Sequence, residues 1–117
     1  MEKREIWLVN LPKIIKDEKD KMVFAIITSI GTGSLSFIAV LPLIDWKEDY
    51  ISSSSIVKIE NNDNPNLEKV FAVDCWQVQL IYTRDEERNR FIKKIGMINE
   101  TTMQKIHETI ADTFDWL

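Results

Sequence analysis

Cysteine and histidine are almost absent from this sequence, which contains only Cys75 and His107 among its 117 residues. A single cysteine excludes a disulfide within the chain and any zinc site built from several cysteines. A single histidine excludes a metal site with several histidine ligands. Because Cys75 lies inside an apolar stretch, we expect it to be a small core residue. The sequence therefore predicts a protein that uses no metal and no other cofactor.

Long apolar runs and an excess of positive charge are also missing. No apolar run reaches the ~18 residues that a membrane-spanning helix needs, and the N-terminal residues lack the apolar core of a signal peptide. The net charge of −4 does not suit a general polyanion-binding surface, so any contact with nucleic acid must come from a local basic patch. The length suits one domain, residues 1–117. We expect a cytoplasmic protein that makes no membrane contact.

The stretch of residues 70–82, VFAVDCWQVQLIY, is the strongest strand signal in the chain. It is rich in β-branched and aromatic residues and has no glycine or proline. It is longer than the usual strand of about five or six residues, and a polar insertion, residues 74–77, interrupts its middle. Either Asp74 or Gln77 faces the core, or a bend turns both towards solvent. We expect the strand to be bent or bulged at this point, as strands of small barrels are.

The remaining elements surround this stretch with short strands and end in a helix. Strands are predicted at residues 5–10, 22–30, 35–44, 56–59 and 90–95. Asn99 is a predicted N-cap, and the helix after it extends to about residue 115 with an apolar stripe that includes Met103, Ile106 and Ile110. Early strands and a late helix predict a mainly β fold, with a strongly bent antiparallel sheet or small barrel and the helix packed on it.

Two groups of basic residues and a few aromatic residues are candidates for contact with RNA. Trp76, Trp46 and Tyr82 could stack on bases if they are exposed. The alternative is that these rings belong to the core and that the charges are simply solvated. The basic residues are Lys13, Lys16, Lys19 and Lys21 in one group, and Arg84, Arg88, Arg90, Lys93 and Lys94 in the other.

Several segments, in order and spacing, resemble the PemK/MazF family of toxins from type II toxin–antitoxin pairs. They are residues 3–11 (KREIWLVNL), 23–28 (VFAIIT), 40–43 (VLPL), Gln77 and 94–103 (KIGMINETTM). Arg4 stands where this family usually has glycine. The resemblance covers nearly the whole chain and implies an SH3-like small antiparallel barrel closed by a C-terminal helix, usually in a homodimer.

The resemblance implies metal-independent cleavage of single-stranded RNA through attack by the 2′-hydroxyl, but the residues expected to catalyse it are largely replaced. The family's Arg-Pro pair corresponds to Lys21 and Met22, and its hydroxyl residues after the third strand correspond to Ile44 and Asp45. Its central-strand arginine corresponds to Asp74. We therefore predict Lys21, Asp45 and Asp74 as a rewired catalytic set, in which lysine keeps the positive charge but loses the guanidinium fork.

The resemblance also implies partners, which are single-stranded RNA, a cognate antitoxin protein and a second copy of the chain. The RNA-binding residues predicted are Lys19, Trp76, Gln77, Arg84 and Arg88.

A second hypothesis is a catalytically degenerate SH3-like module that binds an antitoxin or another macromolecule without cleaving it. Clustering of the three predicted catalytic residues on one concave surface would favour the enzyme, and scattering would favour the module.

Overall fold

A computed structural model describes residues 1–11, 21–31, 36–61, 64–83 and 90–114. Within these residues the chain forms short strands followed by one long α-helix. The strands are β1 (Glu5–Leu11), β2 (Lys21–Gly31), β3 (Phe37–Pro42), β4 (Ile44–Asp45), β5 (Ile56–Ile59), β6 (Phe71–Asp74), β7 (Gln79–Tyr82) and β8 (Phe91–Met97). The helix is α1 (Glu100–Thr113), and short 3₁₀ helices span Glu48–Ser52 and Cys75–Gln77.

The strands form two antiparallel sheets that are packed together. One sheet has five strands in the order β7-β3-β2-β1-β8, and the other has three in the order β4-β6-β5. The chain passes from one sheet to the other between β3 and β4, where the Leu43 N–H donates to the Phe24 carbonyl oxygen at 2.7 Å. The predicted class, mainly β with a C-terminal helix, is confirmed. The described strands form a barrel-like arrangement. Their hydrogen bonds do not close it into a barrel, because they leave two separate sheets.

The long stretch at residues 70–82 bends where its polar insertion falls. β6 ends at Asp74, a single 3₁₀ turn follows, and β7 then continues in the other sheet. The Asp74 carboxylate accepts a hydrogen bond from the Trp76 N–H at 3.1 Å and so caps this turn. Cys75 within the turn is fully buried, and burial raises the pKa of its thiol to about 11, with a smaller contribution from the Asp74 charge. Cys75 is a core residue, as predicted.

Alternating side chains of the five-stranded sheet contribute to two apolar clusters. Ile6, Ile26 and Leu41 lie opposite one another and belong to the first cluster, which also includes residues of the three-stranded sheet and α1. The second cluster takes the alternate residues of the same strands. Its buried members are Val9, Leu11, Ala25, Ile27, Ile38, Val40, Ile81 and Phe91. A side chain's position in the strand therefore decides which of the two clusters it faces.

Helix α1 begins at the predicted cap. The Asn99 side chain accepts a hydrogen bond from the Thr102 N–H at 2.7 Å, which satisfies one of the free donors of the first turn. Met103 and Ile106 of the predicted stripe are buried in the first cluster, and Ile110 packs against it. The helix therefore covers the end of the core beside β5 and the 3₁₀ turn.

Arg4 adopts a backbone conformation that favours glycine. Its φ is 78°, in the left-handed region. The strained residue is held on both sides, because its N–H donates to the Ile27 carbonyl and its carbonyl accepts from the Ile98 N–H, each at 2.9 Å. Its Nε donates to the Ile98 carbonyl at 3.0 Å. These contacts explain how arginine is tolerated at a position where glycine would adopt the same conformation without strain.

Glu5 is a buried carboxylate fixed by three donors at the start of β1. Its oxygens accept from the Trp7 indole at 2.9 Å, from the Glu2 N–H at 3.1 Å and from the Lys94 ammonium at 3.1 Å. Burial by itself raises the pKa of Glu5, but these three contacts together outweigh burial and hold the pKa below its ordinary value. Glu5 therefore stabilises the fold while it is ionised.

We expect Glu5→Gln to lower the free energy of unfolding at pH 7 by about 1–3 kcal/mol, because a neutral amide loses the charged pairing with Lys94. The difference from wild type should shrink as the pH falls through the lowered folded-state pKa, since the wild-type carboxylate is then protonated as well. Urea unfolding at several pH values between neutral and acid measures both effects. Glu60→Gln, at an exposed glutamate that also pairs with a lysine, is the matched control. An equal loss in both variants would contradict the assignment.

Candidate functional site

A groove opens between the ends of β1 and β2 and the segment that leads into β6. It has a volume of about 460 Å³, within the usual range of about 300–1,000 Å³ for ligand sites. Its apolar lining includes Met22 and Phe24 of β2 and Phe71 of β6, whose ring meets that of Phe24 edge to face at 6.1 Å. Its polar lining consists of Asn66, Glu68 and Lys69.

At the polar side of this groove, Lys69 pairs with a carboxylate, Asp45, which lies beside the groove and is not among its lining residues. The Lys69 Nζ lies 2.7 Å from Asp45 Oδ1, and the same Nζ lies 5.5 Å from the centre of the Phe71 ring. The register of the three-stranded sheet brings them together, because Asp45 of β4 lies directly opposite Phe71 of β6. Both side chains keep more than half of their surface, 58% for Lys69 and 67% for Asp45, so a ligand can reach them. Asp45 therefore has an accessible cation beside it.

Lys21 lies at the start of β2, next to the groove residue Met22, but its side chain starts on the other face of the strand. It pairs with Leu11, which belongs to the second apolar cluster, whereas Met22 and Phe24 alternate onto the groove side. Lys21 is exposed. The cation that borders the groove beside Asp45 is thus Lys69, and the catalytic role of Lys21 stays a prediction.

Asp74 is not brought together with Asp45. It lies three residues beyond Phe71 along β6, about 10 Å away at the usual rise of a strand. An odd number of residues also places Asp74 and Phe71 on opposite faces of the three-stranded sheet. Its carboxylate already caps the 3₁₀ turn through the Trp76 N–H. A catalytic role for Asp74 stays a prediction, and the structure does not cluster Asp74 with Asp45.

Trp76 and Gln77 lie on a different surface, beside the end of α1. Both are exposed, Trp76 to 50%, and the Trp76 ring meets the Phe114 ring at 5.1 Å. This surface could present an indole face and an amide to a base, but it belongs to the Asp74 end of β6 and not to the groove. Lys19, Arg84 and Arg88, the other predicted RNA-binding residues, lie outside the described residues.

The polar groove residues Asn66, Glu68 and Lys69 were missed by reasoning from the sequence. Asn66 ends the asparagine-rich stretch of residues 61–66 (NNDNPN), Glu68 and Lys69 follow it, and all three look like ordinary loop residues. One feature of the sequence could have indicated Lys69 as a site residue, because it is a charged residue just before the predicted strand at residues 70–82. The partner of that strand could not be identified, because β4 has only two residues, Ile44 and Asp45.

The chemistry available at the groove is acid–base chemistry with charge stabilisation. Asp45 can accept a proton, and Lys69 can stabilise negative charge that develops beside it. Among the described residues, no group of three or more histidine, cysteine, aspartate and glutamate side chains could hold a metal ion. The described part of the chain also contains no helix of the length and apolarity needed to cross a membrane.

Comparison with known proteins identifies one family. The model of a family described as the PemK-like, MazF-like toxin of type II toxin–antitoxin systems matches residues 2–114. No curated protein matches the chain. The matched range includes the groove, the Asp45–Lys69 pair and helix α1.

Proposed function

The chain belongs to the family of PemK-like and MazF-like toxins of type II toxin–antitoxin systems, and from this premise we propose that it is a metal-independent endoribonuclease that cleaves single-stranded RNA. The resemblance noted in the sequence is confirmed by the family match. The proposal adds the reaction, its substrate and the residues involved. The observation on which it rests is the accessible Asp45–Lys69 pair at the groove.

In the proposed reaction, the Asp45 carboxylate takes the proton of a ribose 2′-hydroxyl. The 2′-oxygen attacks the adjacent phosphorus, and the Lys69 ammonium stabilises the negative charge of the phosphorane. The bond from phosphorus to the 5′-oxygen then breaks on the opposite side of the phosphorus, where a water molecule gives that oxygen a proton, and the carboxylic acid formed on Asp45 releases its proton to the solvent. The products are a 2′,3′-cyclic phosphate and a 5′-hydroxyl. Asp45 ends the cycle ionised again.

The proposal includes partners that suit a toxin of this family. We propose a cognate antitoxin protein that neutralises the toxin, a homodimer as the working form and the cytoplasm as its compartment. Lys21 is proposed as a second cation for the RNA backbone next to the groove. Trp76 and Gln77, exposed together beside the end of α1, are proposed to contact RNA that extends beyond the groove.

One observation favours the alternative, a module that binds without cleaving. The predicted catalytic residue Asp45 of β4 pairs with Phe71 at the start of β6, whereas Asp74 ends β6 and its carboxylate caps a turn. If Asp74 is needed for catalysis in this chain, its position prevents it from acting with Asp45. The module would keep the groove and the exposed ring of Trp76 as binding surfaces.

The test is incubation of the full-length protein with a long RNA of mixed sequence in the presence of a chelator, followed by mapping of the new ends. We expect cuts at a short recurring sequence with 5′-hydroxyl ends, and no such cuts with an Asp45→Asn variant purified in parallel. The parallel variant reveals any contaminating ribonuclease, which would cut in both samples. Intact RNA with folded, monodisperse wild-type protein would overturn the catalytic proposal and favour the binding module.

A further inference from the structure

We infer that the groove beside the Asp45–Lys69 pair selects an RNA base that carries an exocyclic amino group and rejects uracil. This inference rests on the proposed function, because it assigns the specificity of the same site. It concerns Asn66 and Glu68, the polar lining residues that the reaction itself does not use. Asn66 is a specificity-determining residue in this view, and not a catalytic one.

The orientation of the Asn66 amide is fixed by the neighbouring strand β8. Its Nδ2 donates to the Ile95 carbonyl oxygen at 2.6 Å. Because a carbonyl oxygen can only accept, the amide atom beside it must be the nitrogen. The Oδ1 atom is therefore the one that faces away from the Ile95 carbonyl, as a hydrogen-bond acceptor held in one orientation.

Glu68 gives the groove lining a second acceptor. A carboxylate offers only acceptor atoms when it is ionised. The one cation of the described lining, Lys69, is already paired with Asp45 at 2.7 Å. A base that enters this groove therefore meets two acceptors from the protein, and it is bound well only if it offers two donors.

An exocyclic amino group has two N–H donors on one nitrogen, so it suits a lining whose polar residues Asn66 and Glu68 offer acceptors. Adenine, cytosine and guanine each have such a group. Uracil has none, and its single ring N–H lies between two carbonyl oxygens that would face acceptor atoms. The apolar side chains of Met22, Phe24 and Phe71 complete the groove and suit the flat face of a base.

The first experiment uses wild-type protein and changes only the RNA. Once the cleavage site is mapped, short oligonucleotides are made in which one base near the cut is replaced by its counterpart without the amino group. These counterparts are purine riboside for adenosine, inosine for guanosine and pyrimidinone riboside for cytidine. We expect the replacement at one position to lower kcat/KM about 10- to 100-fold, the usual size of a lost base contact. The inference would be overturned if the protein recognised uracil in this groove, or if no replacement lowered kcat/KM at any position.

The second experiment changes the protein. Asn66→Ala should lower kcat/KM for the amino-bearing base and leave that for its counterpart nearly unchanged, so that the discrimination falls about 10-fold or more. Asn61→Ala, in the same loop region but outside the groove lining, is the matched control and should discriminate as wild type does. A purely structural role of Asn66 would lower both rates equally and leave the ratio intact, which would contradict the inference. Circular dichroism checks that both variants fold.

Binding measurements separate this inference from the proposed catalysis. Fluorescence anisotropy with short oligonucleotides of adenosine, cytidine and uridine reports affinity whether or not the RNA is cut. Tighter binding of the amino-bearing oligonucleotides, lost in Asn66→Ala, would support the inference even if wild type cleaves nothing. Equal binding of uridine oligonucleotides, or no binding of any, would overturn it.

Discussion

Asp45→Asn should lower the rate of RNA cleavage by about 10²- to 10⁴-fold, the usual contribution of a general base. Asparagine has nearly the same shape and can still accept a hydrogen bond from Lys69, but it cannot take the proton of the 2′-hydroxyl. Because Asp45 is an exposed residue of a two-residue strand, the fold should lose no more than about 0.5 kcal/mol. Initial rates on an oligonucleotide that contains the mapped site, together with urea unfolding, measure both quantities.

Lys69→Met tests the other half of the pair, and the chain offers a closely matched control for it. Lys58 is also exposed, also pairs with a carboxylate, Glu60 at 3.4 Å, and also lies over an aromatic ring, that of Trp46 at 5.1 Å. It is not among the residues that line the groove. We expect Lys69→Met to lose about 10²- to 10³-fold in rate, as loss of a group that stabilises transition-state charge does, and Lys58→Met to cleave as wild type does.

The opposite outcomes are equally informative. Full cleavage by Asp45→Asn would remove the proposed base and contradict the mechanism. Loss of activity in Lys58→Met as well would point to a general effect of surface charge on RNA binding. If Lys21→Ala abolishes cleavage and Lys69→Met does not, the cation of the reaction is Lys21, and its side chain reaches the phosphate from the other face of β2.

The fold class could be predicted from the sequence because the signals that decide it lie in short stretches of the chain. The polar insertion of residues 74–77 marked the point where the central strand breaks, and Asn99 marked the start of α1. Several predicted boundaries differ from the structure. The strand expected at residues 35–44 divides into β3 and β4, which belong to different sheets. β8 continues through Gly96 to Met97, where the sequence suggested an end at residue 95. Gly96 is suited to this strand because Asn64 approaches it closely, so that a Cβ atom there would lie 3.1 Å from Asn64 Oδ1.

The site could be predicted only in part, because it depends on which strands meet. Asp45 was found through its correspondence with a family position, and the groove lies beside it. Lys69 becomes part of the site only through the pairing of β4 with β6, and a strand of two residues gives no pattern from which that pairing could be recognised. Asp74 shows the converse. It was a catalytic candidate because a carboxylate in an apolar strand needs a partner. In the structure that partner is local, since the Asp74 carboxylate accepts a hydrogen bond from the Trp76 N–H.

Ile106→Ala should be the most damaging single substitution in α1, with a loss of about 2–5 kcal/mol in the free energy of unfolding. Ile106 is fully buried in the first apolar cluster, and truncation leaves a cavity between the helix and the sheets. The expected loss is a large fraction of the 5–15 kcal/mol that stabilises an ordinary domain of this size. Urea unfolding followed by circular dichroism and by tryptophan fluorescence measures it.

Lys105→Ala is the control for Ile106→Ala, since the neighbouring Lys105 is exposed on the same helix and alanine suits a helix well. Its stability should stay within about 0.5 kcal/mol of wild type. The Trp76 ring contacts Phe114 at the end of α1. Because the chain has four tryptophans, the fluorescence that a Trp76→Phe variant loses should report whether the helix leaves the core before the sheets unfold. A loss below about 1 kcal/mol in Ile106→Ala would mean that the core does not depend on the helix, because truncation of a packed isoleucine costs more than that. Separate transitions for the two probes would show that α1 detaches first, and the groove could then be tested for RNA cleavage while the helix is undocked.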